Sequence, residues 1–196
     1  MTKNSEMIFV FLGLISANLA NSAQTLAATL QESTSAKITH IRYTFDGKFD
    51  EYLSHFDAQL GKYNVTAYQA LLKNPVENSE QVSKIIDSQA GSSGFMTFAV
   101  YDHGALINMT GVHQKAKQYV IGNPLIALSM TKHDVRAALY APLRVLIYED
   151  VSKKIQVEYD LPSSIFGQLH NANVDVVAKE LDEKISALVE KANKDR

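Results

Sequence analysis

The sequence predicts an α+β fold, with a single mixed sheet of about five strands and helices packed mainly on one face. Three observations predict it. Short stretches alternate apolar and polar residues with the two-residue period of half-buried strands. Other stretches carry apolar residues at the 3.6-residue spacing of amphipathic helices. Strand and helix patterns follow one another along the chain and end in a hairpin plus a helix, an order that suits one sheet with segregated helices.

The first 22 residues read as a signal peptide. Lys3 precedes an apolar run, Met7 to Leu19, interrupted only by Ser16 and Asn18. That run is shorter than the ~20 residues a membrane helix needs. Ala20-Asn21-Ser22 places small residues for cleavage after Ser22. The expected destination is the periplasm or the secreted fraction, with no stable membrane span after cleavage. Residues 23–37, rich in Thr, Ser, Ala and Gln, read as a flexible lead-in.

Ile38 to Phe45 is a strand with Ile41, Tyr43 and Phe45 on one face. Asp46-Gly47 ends it, and Asp46 is placed to cap the next helix. There Phe49, Tyr52, Leu53, Phe56 and Leu60 form one apolar stripe, closed by Gly61. In 64–94, Tyr68, Leu71 and Leu72 suit a short helix. A second, capped by Asn78 or Ser79, turns Val82, Ile85 and Ile86 inward. Gly91-Ser92-Ser93-Gly94 is a loop.

Phe95 to Tyr101 is an apolar strand, and Asp102 caps a helix from His103 to about Met109. Lys117 to Ile121 is a strand leaving through Gly122-Asn123-Pro124. Thr131-Lys132-His133-Asp134 resembles a capping box, which predicts a helix over 132–140. Pro142 stops it. Leu143 to Glu149 and Lys154 to Tyr159 pair as a hairpin across Asp150 to Lys153. Leu161-Pro162-Ser163-Ser164 begins a turn or short helix. The last helix starts near Asn171 or Asn173, with Val174, Val177, Leu181, Ile185 and Leu188 on one face.

Composition excludes several function classes. Of 196 residues, 46% are hydrophobic and 20% charged, so the chain can build a core and is not of disordered type. Net charge is -2 with basic residues scattered, which does not match a nucleic-acid surface. The absence of Cys removes disulfides, thiolate nucleophiles, Cys-ligated metals and lipobox anchoring. No Walker loop, dinucleotide fingerprint or G-x-S-x-G elbow is present. Ser129-Met130-Thr131-Lys132 fits S-x-x-K, yet the companion Ser-Asp-Asn and Lys-Thr-Gly elements are missing. The six His include no pair at helical metal-site spacing, and no metal or cofactor is expected.

Tyr101-Asp102-His103-Gly104-Ala105, Tyr119 to Pro124, Asp134, and Ala141 to Asp150 with Val157 and Tyr159 carry a resemblance. From these residues the chain resembles the domain of unknown function family 302. The resemblance spans roughly Ile38 to Tyr159. It implies a small α+β domain, often dimeric, with no agreed activity and no catalytic residues. Against that pattern 64–94 reads as an insertion and 161–196 as an appended helical segment, leaving 38–160 as the domain.

The residues expected to face a ligand are His103, Tyr119, Asn123 and Arg144. His103 follows a strand at a helix start, where the dipole favours neutral imidazole, a base or ligand form. Gly122-Asn123-Pro124 was read as a rigid turn with Gly122 available for left-handed backbone, and its N–H groups as anion donors. The leading functional expectation is a non-enzymatic binding or interaction domain with a small-molecule ligand, and a homodimer is the expected assembly. One alternative is a small hydrolase or lyase with His103 as general base, oriented by Asp102 or Glu149. Another is an envelope structural or assembly protein that makes its contacts through the last helix.

Overall fold

In a computed structural model, residues 31–194 are described, and from Ala36 onward they belong to one compact unit. The expected signal peptide and most of the lead-in lie outside the described residues. Among the described residues no helix is long and apolar enough to cross a membrane.

The sheet is mixed and six-stranded, in the order β1-β6-β5-β4-β3-β2. Its strands are β1 (His40–Phe45), β2 (Gly61–Lys62), β3 (Met96–Asp102), β4 (Ala116–Gly122), β5 (Leu143–Glu149) and β6 (Ile155–Asp160). Neighbours are antiparallel except β2 and β3, which run parallel. The strand beyond the expected five is β2, only two residues long, too short to show a period.

The helices are α1 (Phe49–Asp57), α2 (Ser79–Gln89), α3 (His103–Asn108), α4 (Pro124–Thr131), α5 (Pro162–Phe166) and α6 (Ala172–Lys194). Tyr119 and Ile121, Val145 and Ile147, and Val157 and Tyr159 point from the central strands into a core closed by α1, α5 and α6. α6 is central to that core. Val174, Ala178, Leu181, Ile185, Leu188, Val189 and Ala192 are all buried, and each of the Val, Leu and Ile side chains contributes roughly 1.5–3 kcal/mol. Polar contacts fix its register. Tyr52 Oη donates to the Val189 carbonyl at 3.0 Å and Gln59 Nε2 to the Leu188 carbonyl at 3.2 Å. Ser163 N–H donates to Asp182 at 2.8 Å. The helix expected as an appended segment therefore packs into the same core as the sheet.

Two other expectations change. Lys48 and not Asp46 holds the N-cap position of α1, without a side-chain bond, and Asp46 pairs with Lys154 at 3.1 Å. Thr131 ends α4 and starts no helix. The expected helix over 132–140 is a 3-10 turn, Val135–Leu139, capped by Asp134, whose carboxylate accepts from Arg136 N–H at 3.0 Å. Asn123 and Pro124 supply the stronger start signal, an N-cap followed by proline at N1.

Residues 64–94 cover the β2 and β3 edge. Tyr68, Val82, Ile86 and Met96 form a second small core there. Gly61 and Gly91 let two backbones meet: both N–H groups donate to the Phe95 carbonyl, at 2.9 and 3.0 Å. A Cβ on Gly61 would lie 1.8 Å from the Gln89 carbonyl oxygen, and one on Gly91 2.2 Å from that of Gln59.

Gly61→Ala is expected to destabilise the fold by roughly 3 kcal/mol, since backbone must move. Gly111→Ala, with nothing within 4 Å and only a positive φ to oppose it, is expected to cost about 1 kcal/mol. Urea titration of both variants checks the ranking. A chain ending at His170 should lose cooperative unfolding altogether, as followed by circular dichroism.

Candidate functional site

The end of β4, the start of α4 and the Ala141-Pro142 corner enclose a cavity of about 230 Å³. Its walls are Phe95 and Phe98 from the β3 side, Met130 and Ala127 from α4, Phe166 from α5 and Leu181 from α6. Asn123 shapes it from the rim. Its Oδ1 accepts from Leu125 N–H at 2.9 Å, and its Nδ2 donates to the Gly94 carbonyl at 3.0 Å. One side chain thus caps α4 and ties the 91–94 loop to it. Gly122 is needed for space rather than for left-handed backbone: it is not among the positive-φ glycines. A Cβ there would meet Phe98 Cε2 at 3.3 Å and Pro142 Cβ at 3.5 Å. The lining is mostly hydrocarbon, and Thr131 adds a hydroxyl.

The opposite face of the sheet is bare of the main helix layer and is polar. Strand register places its side chains in rows. His40 faces Asp160 across β1 and β6, and Arg144, Val120 and Ala99 face one another across β5, β4 and β3; a full row runs Arg42, Glu158, Leu146, Gln118 and Tyr101. Glu158 is the hub. Its Oε1 accepts from Tyr148 Oη at 2.7 Å and Arg42 Nε at 2.6 Å, and its Oε2 faces His40 Nε2 at 2.8 Å. Burial would raise its carboxyl, but these three donors outweigh burial and hold it at about 2. His40 Nδ1 lies 3.0 Å from Asp160 Oδ1. With a carboxylate at each ring nitrogen, the doubly protonated imidazole satisfies both, and its pKa is raised by the bonds to Asp160 and Glu158.

The four residues expected at one ligand site are not brought together. Tyr119 is buried against the helices, and burial, with Asp57 nearby, drives its hydroxyl pKa up. Arg144 lies on the bare face and Asn123 at the cavity rim. His103 opens α3, where Asp102 spends its carboxylate on capping, accepting from Ala105 N–H at 2.8 Å. Glu149 is paired with Lys153 at 2.8 Å. Among the described residues no carboxylate hydrogen-bonds His103, so the geometry of an oriented base is not formed. His113, Glu149 and Asp150 do line one depression of about 330 Å³. Asp150, however, accepts from the N–H groups of Ser152 and Lys154 and from Gln156, and no group of three metal-binding side chains occurs among the described residues.

Sequence reasoning missed His40, Glu158 and Asp160. Their signal was the polar half of the alternation on β1 and β6, which only strand pairing turns into a cluster.

Glu158→Gln should destabilise the fold by roughly 1–3 kcal/mol, since a partly buried acceptor of three donors is weakened. The sign of the pH dependence differs for the two partners. The raised His40 contributes fully below its ordinary value of 6.5 and fades as pH rises through its folded value. The depressed Glu158 contributes fully above 4.5 and is lost as pH falls towards about 2. Denaturant titrations of the parent and His40→Ala across pH 3–9 check this: their difference should be largest near pH 5–6 and shrink at both ends.

The family profile described as Domain of unknown function DUF302 matches residues 72–192. The match begins inside the segment expected to be an insertion and runs through the helix expected to be an appendage. A solved structure described as uncharacterized conserved protein DUF302 from Bacillus stearothermophilus is similar with a TM-score of 0.55 and 10% identity. The likeness covers 78% of this chain and 97% of that one, and at this identity it bears on the fold alone. No curated protein matches. With more than half of its length matched by the family profile, the chain belongs to the DUF302 family of domains of unknown function.

Proposed function

We propose that the protein is a non-enzymatic binding domain, working in the periplasm or secreted, that takes a small apolar molecule in the cavity beside Asn123. The observation that supports this is the cavity itself. About 230 Å³ of space borders the core, walled by Phe95, Phe98, Met130 and Phe166. Concave, mostly apolar pockets with a few placed polar groups are where small ligands bind. The polar contribution here is modest: Asn123 is committed to capping, and the Thr131 hydroxyl remains to meet a hydroxyl or carbonyl of the guest. Among the described residues that line it there is no His, Asp, Glu or Lys to serve as a base, which favours binding over turnover.

The test is thermal shift and native mass spectrometry with indole, 1-octanol and laurate as probes. At least one is expected to bind one-to-one and to raise the melting temperature. Ala127→Phe, which fills the cavity from α4, is expected to remove that shift while leaving the unfolding transition cooperative. Retention of binding in Ala127→Phe, or no binding of any probe at millimolar concentration, would overturn the reading.

A further inference from the structure

We infer that the bare face of the sheet carries a second site, for a zwitterionic α-amino carboxylate with an apolar side chain. Arg144 and Asp160 lie on adjacent strands. The pairing of β5 with β6 runs only as far as Leu146↔Glu158, two residues short of both, and among the described residues no ion pair joins Arg144 to Asp160. Asp160 Oδ1 is turned to His40 at 3.0 Å instead. Arg144 is exposed and makes no ion pair among the described residues. Two opposite charges therefore border the same depressions with binding capacity left on each.

Two adjoining depressions, of about 320 and 170 Å³, share Arg144 and Asp160 in their linings. The larger continues onto hydrocarbon: Val120, Tyr140, Pro142 and Ile165. The chemistry that fits is an α-carboxylate on the planar guanidinium, an α-ammonium on the remaining Asp160 oxygen, and an apolar side chain over Val120 and Tyr140. A plain anion fits less well, because Asp160 stands beside it. The site shares the Ala141 to Leu143 corner with the apolar cavity, but Arg144 and Asp160 do not line that cavity.

Isothermal titration with L-phenylalanine and L-leucine tests this, beside N-acetyl-L-phenylalanine and phenethylamine, which each lack one charge. The free amino acids are expected to bind, and the single-charge analogues at least tenfold more weakly. Arg144→Leu and Asp160→Asn should each weaken binding at least tenfold. Arg144 is exposed, so its variant should keep the parent unfolding transition. Ala127→Phe should leave amino-acid binding unchanged, which separates this site from the cavity. Equal binding of the blocked analogues, or no binding of any of them at millimolar concentration, overturns the proposal. So does a dimer that Arg144→Leu dissociates and that excludes amino acids, since the face then belongs to a second copy.

Discussion

The packing of α6 across one face of the sheet is the constraint on which the rest of this structure depends. Its buried stripe, from Val174 to Ala192, gives the central strands something to close against. Hydrogen bonds from Tyr52 and Gln59 to its carbonyls then lock α1 to it. The arrangement is non-local. The first strand joins the sheet only through β6, and the His40 to Asp160 contact spans 120 residues. Such pairing pays loop-closure entropy before it returns any contact energy. The stability of β1 is thus tied to the last third of the chain.

A sheet covered on one face has two chemistries. On the covered face even the phenols are dry: burial raises the pKa of the Tyr119 and Tyr159 hydroxyls, so they stay neutral donors. On the bare face a continuous apolar surface would invite association. The strands instead carry a bonded lattice, with Glu158 holding Tyr148, Arg42 and His40 together. Leu146 and Val120 interrupt that lattice only locally. The cavity sits at the strand ends on the covered face, between α4 and Leu181 of α6.

Much of the fold was legible because its long elements obey one period each. The alternation of Ile41, Tyr43 and Phe45, the α1 stripe and the hairpin from Leu143 to Tyr159 appear in the structure as read. The failures have physical causes. Thr131 to Asp134 carries cap chemistry, but Asn123-Pro124 upstream carries stronger cap chemistry and starts the helix first. β2 is a two-residue bridge imposed by the close approach of Gly61 and Gly91, which no pattern predicts. α6 reads as an addition only against the family pattern, and its apolar stripe packs into the sheet core. The candidate site was less legible still. Asn123 borders the cavity and its turn is a local signal, whereas the Glu158 cluster exists only once β1 pairs with β6.

The unpaired Arg144 can be weighed energetically. An exposed ion pair contributes about 0–1 kcal/mol, so leaving Arg144 without a partner costs the fold little. Joining it to Asp160 would also compete with the His40 bond, which is coupled through the ring to Glu158. Stability therefore favours the arrangement in which Arg144 stays free. The two sites should accordingly differ in their linkage to folding. A guest in the cavity fills space beside Phe95, Met130 and Phe166, so its contacts reinforce those that hold α4 and α5 to the sheet. A guest on the bare face meets side chains whose strands are already fixed from the other side. Each ligand stabilises the folded state by mass action, but only the first adds to the packing of the core.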